Sequence, residues 1–162
     1  MSVLFTSDTH FGHARIIEYC ARPFASVLEM DHEMIQRWNE RVNEGDTVYH
    51  LGDFAFARVE RIREILSQLK GTKVLIRGNH DRRIKDSKFL GAGFSAVHKT
   101  HTLEAFDVPI LLAHHPQDVP GWHLCGHVHE AWKRRDKTIN VGVDVWDFAP
   151  HTFAELLEAP SL

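Results

Sequence analysis

The sequence predicts an α/β domain in which two β-sheets pack together. In the first half of the chain, short apolar runs alternate with segments of helical period, which is typical of parallel strands joined by helical crossovers. In the second half most segments are short and apolar, which indicates a mixed or antiparallel sheet. The 162 residues are 43% hydrophobic, which is enough for a sizeable core, and we assign residues 1–162 to one domain.

Three strands and three helices are predicted in the first half. The strands are the apolar runs at 2–8, 46–53 and 73–79. The helices are segments 14–22, 26–45 and 57–71. Pro23 ends the first helix, and Gly45 and Gly71 supply the stops of the other two.

The second half is predicted to be mostly strand. We expect two short strands or a ribbon at 94–106, further strands at 108–116, 122–129 and 138–145, and a weak helix at 152–159.

Charge and cysteine content exclude several classes of protein. With 19 basic and 22 acidic residues, the net charge is −3, so a strongly basic nucleic-acid binder is excluded, although a local basic patch stays open. Cys20 and Cys125 have no zinc-finger or redox spacing. Without a leader or an apolar run of about 18 residues, we expect a soluble cytoplasmic protein that has reduced thiols and does not enter membranes. Whether the chain is one domain of a larger protein stays open, as does its oligomeric state.

Histidine is the one unusual component: the chain has 13, and five fall between residues 112 and 130. Five apolar runs end in oxygen or imidazole ligands. These are Asp8 and His10; Asp53; Asn79, His80 and Asp81; His114 and His115; and His127 and His129. Sites in α/β sheets form at the carboxyl ends of strands, so we expect these side chains to meet. Gly52, Gly78 and Gly126 precede three of the clusters and permit close backbone approach.

The composition of this set predicts a metal centre. Residues two apart in extended chain face the same side, as Asp8 and His10 do, and so can share one cavity. Mixed nitrogen and oxygen ligands suit manganese, iron, zinc or nickel rather than an all-oxygen calcium site. Seven good ligands among these residues are too many for one metal ion, but they fit two ions that share a bridging carboxylate.

The blocks SDTHFGH, LGDF, RGNHD, LLAHHP and GHVH, in this order, resemble the five-block signature of calcineurin-like metallophosphoesterases. GNHD in register with GHVH is the specific part, and the later NVGVD resembles small bacterial and phage members. The resemblance implies a four-layer α/β/β/α sandwich with two mixed sheets flanked by helices. It also implies a dinuclear hydrolase that attacks phosphoric esters with a metal-bridging hydroxide and needs no serine or cysteine nucleophile.

The same resemblance implies the roles of the ligands. Asp8, His10 and His129 hold one ion, Asn79, His114 and His127 hold the other, and Asp53 bridges them. The residues themselves agree about Asp53, since it stands in its block without a companion ligand. We expect two divalent ions, Mn²⁺ first, with iron, Ni²⁺ or Zn²⁺ as alternatives.

His80 follows a ligand directly and is the candidate to contact the phosphate and to protonate the leaving oxygen as a general acid. Asp81 is predicted to orient the His80 ring, or alternatively to cap a helix that starts at 82–85. The candidate substrate contacts are His13, Arg15, Arg77 and Arg82, with Arg83 nearby.

Phe56 limits the classes of substrate that we expect. It stands where phosphoprotein phosphatases of the family carry a second acidic residue, so we expect a small phosphomonoester or phosphodiester instead. Two alternatives remain open: a nuclease acting on RNA or single-stranded DNA, with nucleic acid as partner, and a non-catalytic metal-binding scaffold. The basic segment 132–137 is read as a solvated hairpin tip, with polyanion binding as the alternative.

The other histidines are expected outside the ligand set. His50 should point to the opposite face and be a hydrogen-bonded structural residue, and His115 should point away from His114. Surface or supporting positions are expected for His32, His98, His101, His123 and His151. Asp144 and Trp146 are read as turn and packing residues, with the substrate cleft as the alternative.

Overall fold

The computed structural model describes residues 1–104 and 106–161. Ala105, inside the predicted ribbon at 94–106, and Leu162, at the end of the predicted domain, lie outside the described residues. The strands are β1 (Val3–Thr6), β2 (Thr47–His50), β3 (Thr72–Ile76), β4 (Ala96–His98), β5 (Thr100–Leu103), β6 (Ile110–Ala113), β7 (Trp122–Cys125), β8 (Arg134–Arg135), β9 (Thr138–Asn140) and β10 (His151–Thr152). The α-helices are α1 (Ala14–Tyr19), α2 (Val27–Arg41), α3 (Val59–Gln68), α4 (Asp86–Ala92) and α5 (Phe153–Leu157).

The strands form two mixed sheets. The first has the order β10-β1-β2-β3-β4 and the second the order β5-β6-β7-β9-β8. In the first sheet β1 to β4 run parallel and β10 is antiparallel. In the second, β6, β7 and β9 are parallel, and β5 and β8 are antiparallel edges. The prediction of two mixed sheets flanked by helices is confirmed.

Helices α1 to α4 cover the outer face of the first sheet. Their apolar faces supply Ile16, Met34, Trp38, Ile62 and Phe89 to one core cluster with the outward residues of β1 to β3. The N-terminus of α2 is capped by the Ser26 hydroxyl, which accepts a hydrogen bond from the N–H of Glu29 at 3.2 Å.

A second core lies between the sheets. Because side chains alternate along a strand, Leu4 of β1 joins the helical core while Phe5 joins the inter-sheet core. Ile110, Leu112 and Leu124 of the second sheet meet Phe5 there, and Phe153 and Leu156 of α5 complete this core. The two cores fix the sheets against each other and so hold the carboxyl ends of their strands in place.

Several predicted boundaries change. Of the two alternatives predicted for segment 94–106, two short strands are confirmed as β4 and β5. They belong to different sheets, so the segment is the crossing between sheets and not a ribbon. Segment 138–145 is strand only to Asn140 and then forms a 3₁₀ turn at Val143–Val145. A 3₁₀ turn at His80–Arg83 stands where a helix was expected at 82–85, and α4, which the sequence analysis missed, starts at Asp86. Only seven residues long, α4 buries just Phe89 and Ala92, which is too little periodicity to detect.

The chain's helices and thiols give two further facts. Across residues 1–104 and 106–161, no helix has the length and apolar character needed to cross a membrane. Cys20 and Cys125 are free thiols, and Cys125 is buried.

Candidate metal centre

The loops that follow β1, β2, β3, β6 and β7 converge at one edge of the two sheets. The loop after β1 is tied to the loop after β2, since the N–H of Asp8 donates to the Gly52 carbonyl at 2.9 Å and that of His10 to the Asp53 carbonyl at 3.0 Å. Nearby, the N–H of Gly126 donates to the His114 carbonyl at 2.9 Å. These bonds join the loops in two pairs, and the N–H of His80, which donates to Oδ1 of Asp53 at 2.9 Å, adds the loop after β3.

Five of these ligands have left-handed backbone. Asp8, His10, Asp53, His127 and His129 have φ between 45° and 72°. Such values are uncommon outside glycine, and they persist only where the surrounding structure enforces them, typically at functional sites. The sheet edges therefore impose a conformation that these loops would not adopt by preference.

One group of ligand atoms collects around Asp8. Its Oδ1 lies 3.9 Å from Nε2 of His10 and 3.8 Å from Nε2 of His129. Its Oδ2 accepts a hydrogen bond from the N–H of His127 at 2.9 Å, which fixes the carboxylate. A cation could contact Asp8, His10 and His129 together, since the candidate atoms lie within 4.8 Å of one another.

A second group collects around Asn79. Its Oδ1 lies 3.0 Å from Nε2 of His114 and 3.2 Å from Nδ1 of His127. Nδ1 of His114 donates to the Leu51 carbonyl at 2.7 Å, which leaves Nε2 directed into the site. The prediction that His115 points away is wrong, because its ring centre lies 4.2 Å from that of His127 and its nitrogen lies close to those of His114 and His127.

Asp53 lies between the two groups. Its Oδ2 is 3.6 Å from Nε2 of His10 and 3.4 Å from Nε2 of His114. Its Oδ1 accepts a hydrogen bond from the N–H of His80 at 2.9 Å. One oxygen therefore faces both groups while the other is held by the backbone.

Buried polar atoms that lack hydrogen-bond partners among the described residues allow a test of whether metal ions fit this site. Asp8 Oδ1 and His10 Nε2 are fully enclosed, and residues 1–104 and 106–161 give neither atom a hydrogen-bond partner. Burying such atoms without partners costs about 1–3 kcal/mol each, and a divalent cation between them would satisfy both. The carboxylate, amide and imidazole donors also match the ions expected from the sequence. The residues present therefore fit a metal site.

The charges of the site point the same way. Burial lowers the pKa of His10 to about 2, so this ring is neutral and its Nε2 is free to bind a cation. Burial also opposes protonation of His114 and His129, but the carboxylates outweigh it. Asp53 and Asp8 raise the pKa of His114 to about 9, and Asp144, Cys20 and Asp8 raise that of His129 to about 10. Because carboxylates favour the protonated rings of His114 and His129, bound metal ions would take the place of these protons.

Close packing explains two of the glycines. A Cβ at Gly78 would collide with the Asp53 carboxylate, and one at Gly126 would collide with the side chains of Ser7 and Asp8. At both positions the carboxylate of a candidate ligand packs directly against the glycine backbone, which is the close approach predicted for these glycines.

A buried ion-pair network behind His129 was not found from the sequence. Nδ1 of His129 donates to Oδ2 of Asp144 at 2.9 Å. Arg22, 4% exposed, donates from Nε to Oδ1 of Asp144 at 2.8 Å and from Nη2 to the Asp8 carbonyl at 2.7 Å. Arg22 lies in none of the sequence motifs, and Asp144 was noted only because it belongs to the NVGVD block.

Both roles predicted for Asp81 are wrong. It neither orients the His80 ring nor caps a helix at 82–85. Its buried carboxylate accepts hydrogen bonds from the N–H groups of Gly78 at 2.7 Å, Asp53 at 2.8 Å and Phe54 at 3.2 Å. Asp81 therefore joins the loop after β2 to the loop after β3 and acts on the centre through the position of Asp53.

His80 and His13 border the centre. Nε2 of His80 lies 3.9 Å from Oδ2 of Asp53, and its side chain is 40% exposed. Nδ1 of His13 lies 3.2 Å from Nδ1 of His10, and its ring stacks on Phe56 with centres 4.9 Å apart. Arg15 lines a cavity with His80, Phe56 and Arg83.

The arginines predicted to contact substrate differ in whether their side chains are free to do so. Arg77 is not free to receive substrate, because its guanidinium donates to the Asp81 and Ile84 carbonyls at 2.7 Å each and pairs with Asp86. It stabilises the loop after β3. Arg82 is exposed and lines a cavity beside Asn79 and His114.

The remaining histidines and the basic segment occupy structural positions. His50 is buried, with Nε2 2.9 Å from the Thr9 hydroxyl and Nδ1 accepting from the Gly52 N–H at 3.2 Å, so its structural role is confirmed. His123 is buried against the Leu111 and His115 carbonyls and is a supporting residue. The hairpin predicted at 132–137 is present, but Arg134 and Arg135 form its first strand, paired with β9, and only residues 136–137 form the turn.

Comparisons with known proteins agree with this geometry. A family model described as the calcineurin-like phosphoesterase superfamily domain matches residues 1–147. An uncharacterized protein of Methanocaldococcus jannaschii is 38% identical over 156 residues, which cover 91% of this chain and 85% of that protein. The gene 66 protein of Mycobacterium phage L5 is 30% identical over 182 residues, covering 88% of this chain and 86% of that protein. The crystal structure of a protein of unknown function from Aquifex aeolicus has a TM-score of 0.77 at 27% identity and covers 96% of this chain and 97% of its own.

Proposed function

This chain belongs to the calcineurin-like phosphoesterase superfamily, and we propose that it hydrolyses phosphoric esters of small molecules with two divalent metal ions. The observation that carries the proposal is the pair of buried, unpartnered atoms Asp8 Oδ1 and His10 Nε2, which face the other candidate ligands. A protein that bound no metal here would gain stability by replacing such atoms with apolar groups.

We assign Asp8, His10 and His129 to one ion, Asn79, His114 and His127 to the other, and Asp53 to both. The position of Asp53, whose Oδ2 faces both groups of nitrogens at 3.4–3.6 Å, supports the shared assignment. When bound, such ions lower the pKa of water and neutralise the charge of a phosphoryl group. Mn²⁺ is our first choice, with iron, Ni²⁺ and Zn²⁺ as alternatives.

His80 supplies the proton in this proposal. Its exposed ring stands at the rim, 5.2 Å from the His10 ring centre, while its N–H holds Asp53. A ring placed there can hold a proton at Nε2 and give it to the leaving oxygen of the ester. His13, packed between the rings of His10 and Phe56, is placed to donate a hydrogen bond to a phosphoryl oxygen.

The network behind the ligands keeps them in position. Asp144 and Arg22 hold the ring of His129, Leu51 holds the ring of His114, and Asp81 holds the backbone of Asp53. Partners of this kind fix ring orientation and raise metal affinity.

The experiment removes metal with a chelator and returns Mn²⁺, Ni²⁺ or Zn²⁺ singly. We expect two bound ions per chain and hydrolysis of p-nitrophenyl phosphate or bis-p-nitrophenyl phosphate only in the loaded protein. His10→Ala should leave fewer than two bound ions per chain and abolish hydrolysis of both esters, whereas His32→Ala, an exposed control on α2, should behave as the native protein. Binding of two ions without turnover of either ester would favour the scaffold alternative and contradict the proposal.

The nuclease alternative has less support from the basic segment 132–137. The Arg134 guanidinium donates to the carbonyls of Asp136, Leu157 and Ala159. Lys133 lies 3.7 Å from the ring centre of Trp146 and Arg135 lies 5.0 Å from that of Trp132. These cations are engaged within the fold, so labelled RNA and single-stranded DNA serve as comparison substrates in the same assay.

A further inference from the structure

A cavity of about 420 Å³ opens beside Asn79 and His114. Its walls also include Arg82, Lys99 and His115. Within the described part of the chain, it shares no lining residue with the three cavities that His80 borders. The candidate centre is therefore reached from two separate sides.

The cavity beside Asn79 is cationic. Its single carboxylate, that of Asp86, is already paired with Arg77. The side chains of Arg82 and Lys99 are exposed and make no hydrogen bond or ion pair with residues 1–104 or 106–161. Two uncommitted cations on one cavity wall are a site for an anionic group.

The side bordered by His80 has a different character. Phe56 is 45% exposed and Tyr19 63% exposed, and both line a cavity of about 570 Å³ with His80, Arg15 and Arg83. This side therefore adds aromatic rings to its arginines, and Arg83 lies 5.1 Å from the Phe56 ring centre. A leaving group that takes a proton from His80 would occupy this aromatic side. A phosphomonoester has no second organic arm, so it would leave the cationic cavity empty of substrate.

We propose that the substrate is a phosphodiester whose retained arm lies in the cavity beside Asn79 and carries a further phosphate group, held by Arg82 and Lys99. This inference rests on the proposed function and names its substrate class. Water forms the new bond to phosphorus and releases a proton to solvent, while the bond from phosphorus to the leaving arm breaks. The leaving oxygen takes a proton from His80, and solvent returns a proton to that ring. The retained arm departs as a phosphomonoester. A cavity of this volume fits one small-molecule arm.

Two chromogenic esters test the proposal: thymidine 5′-(p-nitrophenyl phosphate) and the same compound with a 3′-phosphate. Both release p-nitrophenol, so they differ only in the charge of the retained arm. In the metal-loaded protein we expect kcat/KM to be about five- to tenfold higher for the 3′-phosphorylated ester, mainly through KM, as two exposed charge contacts would give. The double substitution Arg82→Gln and Lys99→Gln should remove most of this preference. The matched control, Arg63→Gln with Lys88→Gln on another cavity, should keep it.

Equal kcat/KM for the two esters in the native protein, or an undiminished preference in the Arg82 and Lys99 variant, would overturn the inference. Absence of turnover with both esters would contradict the proposed function instead. Calorimetry with thymidine 3′,5′-bisphosphate then decides the subsite separately: binding weakened five- to tenfold in the double variant supports it, and equal binding overturns it.

Discussion

Nδ1 of His129 donates a hydrogen bond to Oδ2 of Asp144 over 2.9 Å, and this turns Nε2 of the same ring toward Asp8. The guanidinium of Arg22 holds the other oxygen of Asp144 at 2.8 Å. The ring is thus positioned by a carboxylate that is itself fixed in a buried ion pair. Such carboxylate–histidine pairs orient metal ligands and increase their basicity.

The first prediction concerns Asp144. Asp144→Asn removes the negative charge while keeping the size of the side chain, so the His129 ring loses its orienting partner. We expect metal affinity at this ion to fall about 10- to 100-fold, measured by metal titration of the stripped protein. Asp118→Asn, an exposed control, should not change it. Unchanged affinity in the Asp144 variant would mean that the ion pair serves the fold alone.

The second prediction concerns Asp53. Because its Oδ2 faces the nitrogens of both His10 and His114, Asp53→Asn should weaken both ions together. Elemental analysis after dialysis should show fewer than one ion per chain, compared with two in the native protein, as expected for a shared ligand. Full retention of one ion would show that Asp53 belongs to a single ion.

The third prediction concerns His80. His80→Ala should keep both ions, since the metal ligands are unchanged. Turnover of esters with poorly leaving alkoxide groups should fall about 10²- to 10⁴-fold, the range for loss of a general acid. Nitrophenyl esters, which need little protonation, should lose much less. Equal losses on both kinds of ester would point to charge binding rather than proton transfer.

The fourth prediction concerns Asp81, which accepts three backbone hydrogen bonds while 1% exposed. Asp81→Asn replaces one accepting oxygen by an N–H₂ group that meets other donors. We expect the free energy of unfolding to fall by about 1–3 kcal/mol, measured by urea denaturation. Asp107→Asn, exposed in a loop, is the matched control. A variant as stable as the control would refute the joining role of Asp81.

The fifth prediction concerns pH and Glu155 at the start of α5. Burial opposes its ionisation, but Arg41 and Thr152 lower its pKa to about 2 from an ordinary value of 4.5. A depressed folded pKa adds stability that is complete above the unfolded pKa and is lost as pH falls from about 4.5 toward 2. The side chain is 40% exposed, so solvent screening reduces the effect.

Accordingly, Glu155→Gln should lower the free energy of unfolding by about 0.5–1 kcal/mol at pH 7 in the metal-free protein. The difference from the native protein should shrink as pH falls below about 4.5. Urea titrations at several pH values check this, with Glu158→Gln as an exposed control. A difference that stays constant with pH would exclude the ionised carboxylate as its cause.

The ligand blocks could be predicted because strand ends meet. Once β1, β2, β3, β6 and β7 were recognised as apolar runs, the polar residues after them had to share one edge. His50 could be placed by strand alternation alone, since period two fixes which face a residue occupies.

What the sequence could not show depends on contacts between distant segments. Arg22 and Asp144 lie 122 positions apart, and no local pattern joins them. Asp81 follows the candidate ligand Asn79 and the candidate general acid His80, yet its carboxylate accepts hydrogen bonds from backbone groups, two of them in another loop. His115 was misplaced because strand alternation ends at Ala113, and beyond it the loop decides the direction of the ring.

The left-handed backbone at five candidate ligands has a consequence for engineering. A transplanted loop would relax toward ordinary dihedral angles and pull its donors apart, so these motifs cannot be grafted as short peptides onto an unrelated scaffold. A designer would have to carry over both sheet margins as a rigid frame and could then redesign the distant helical surface freely.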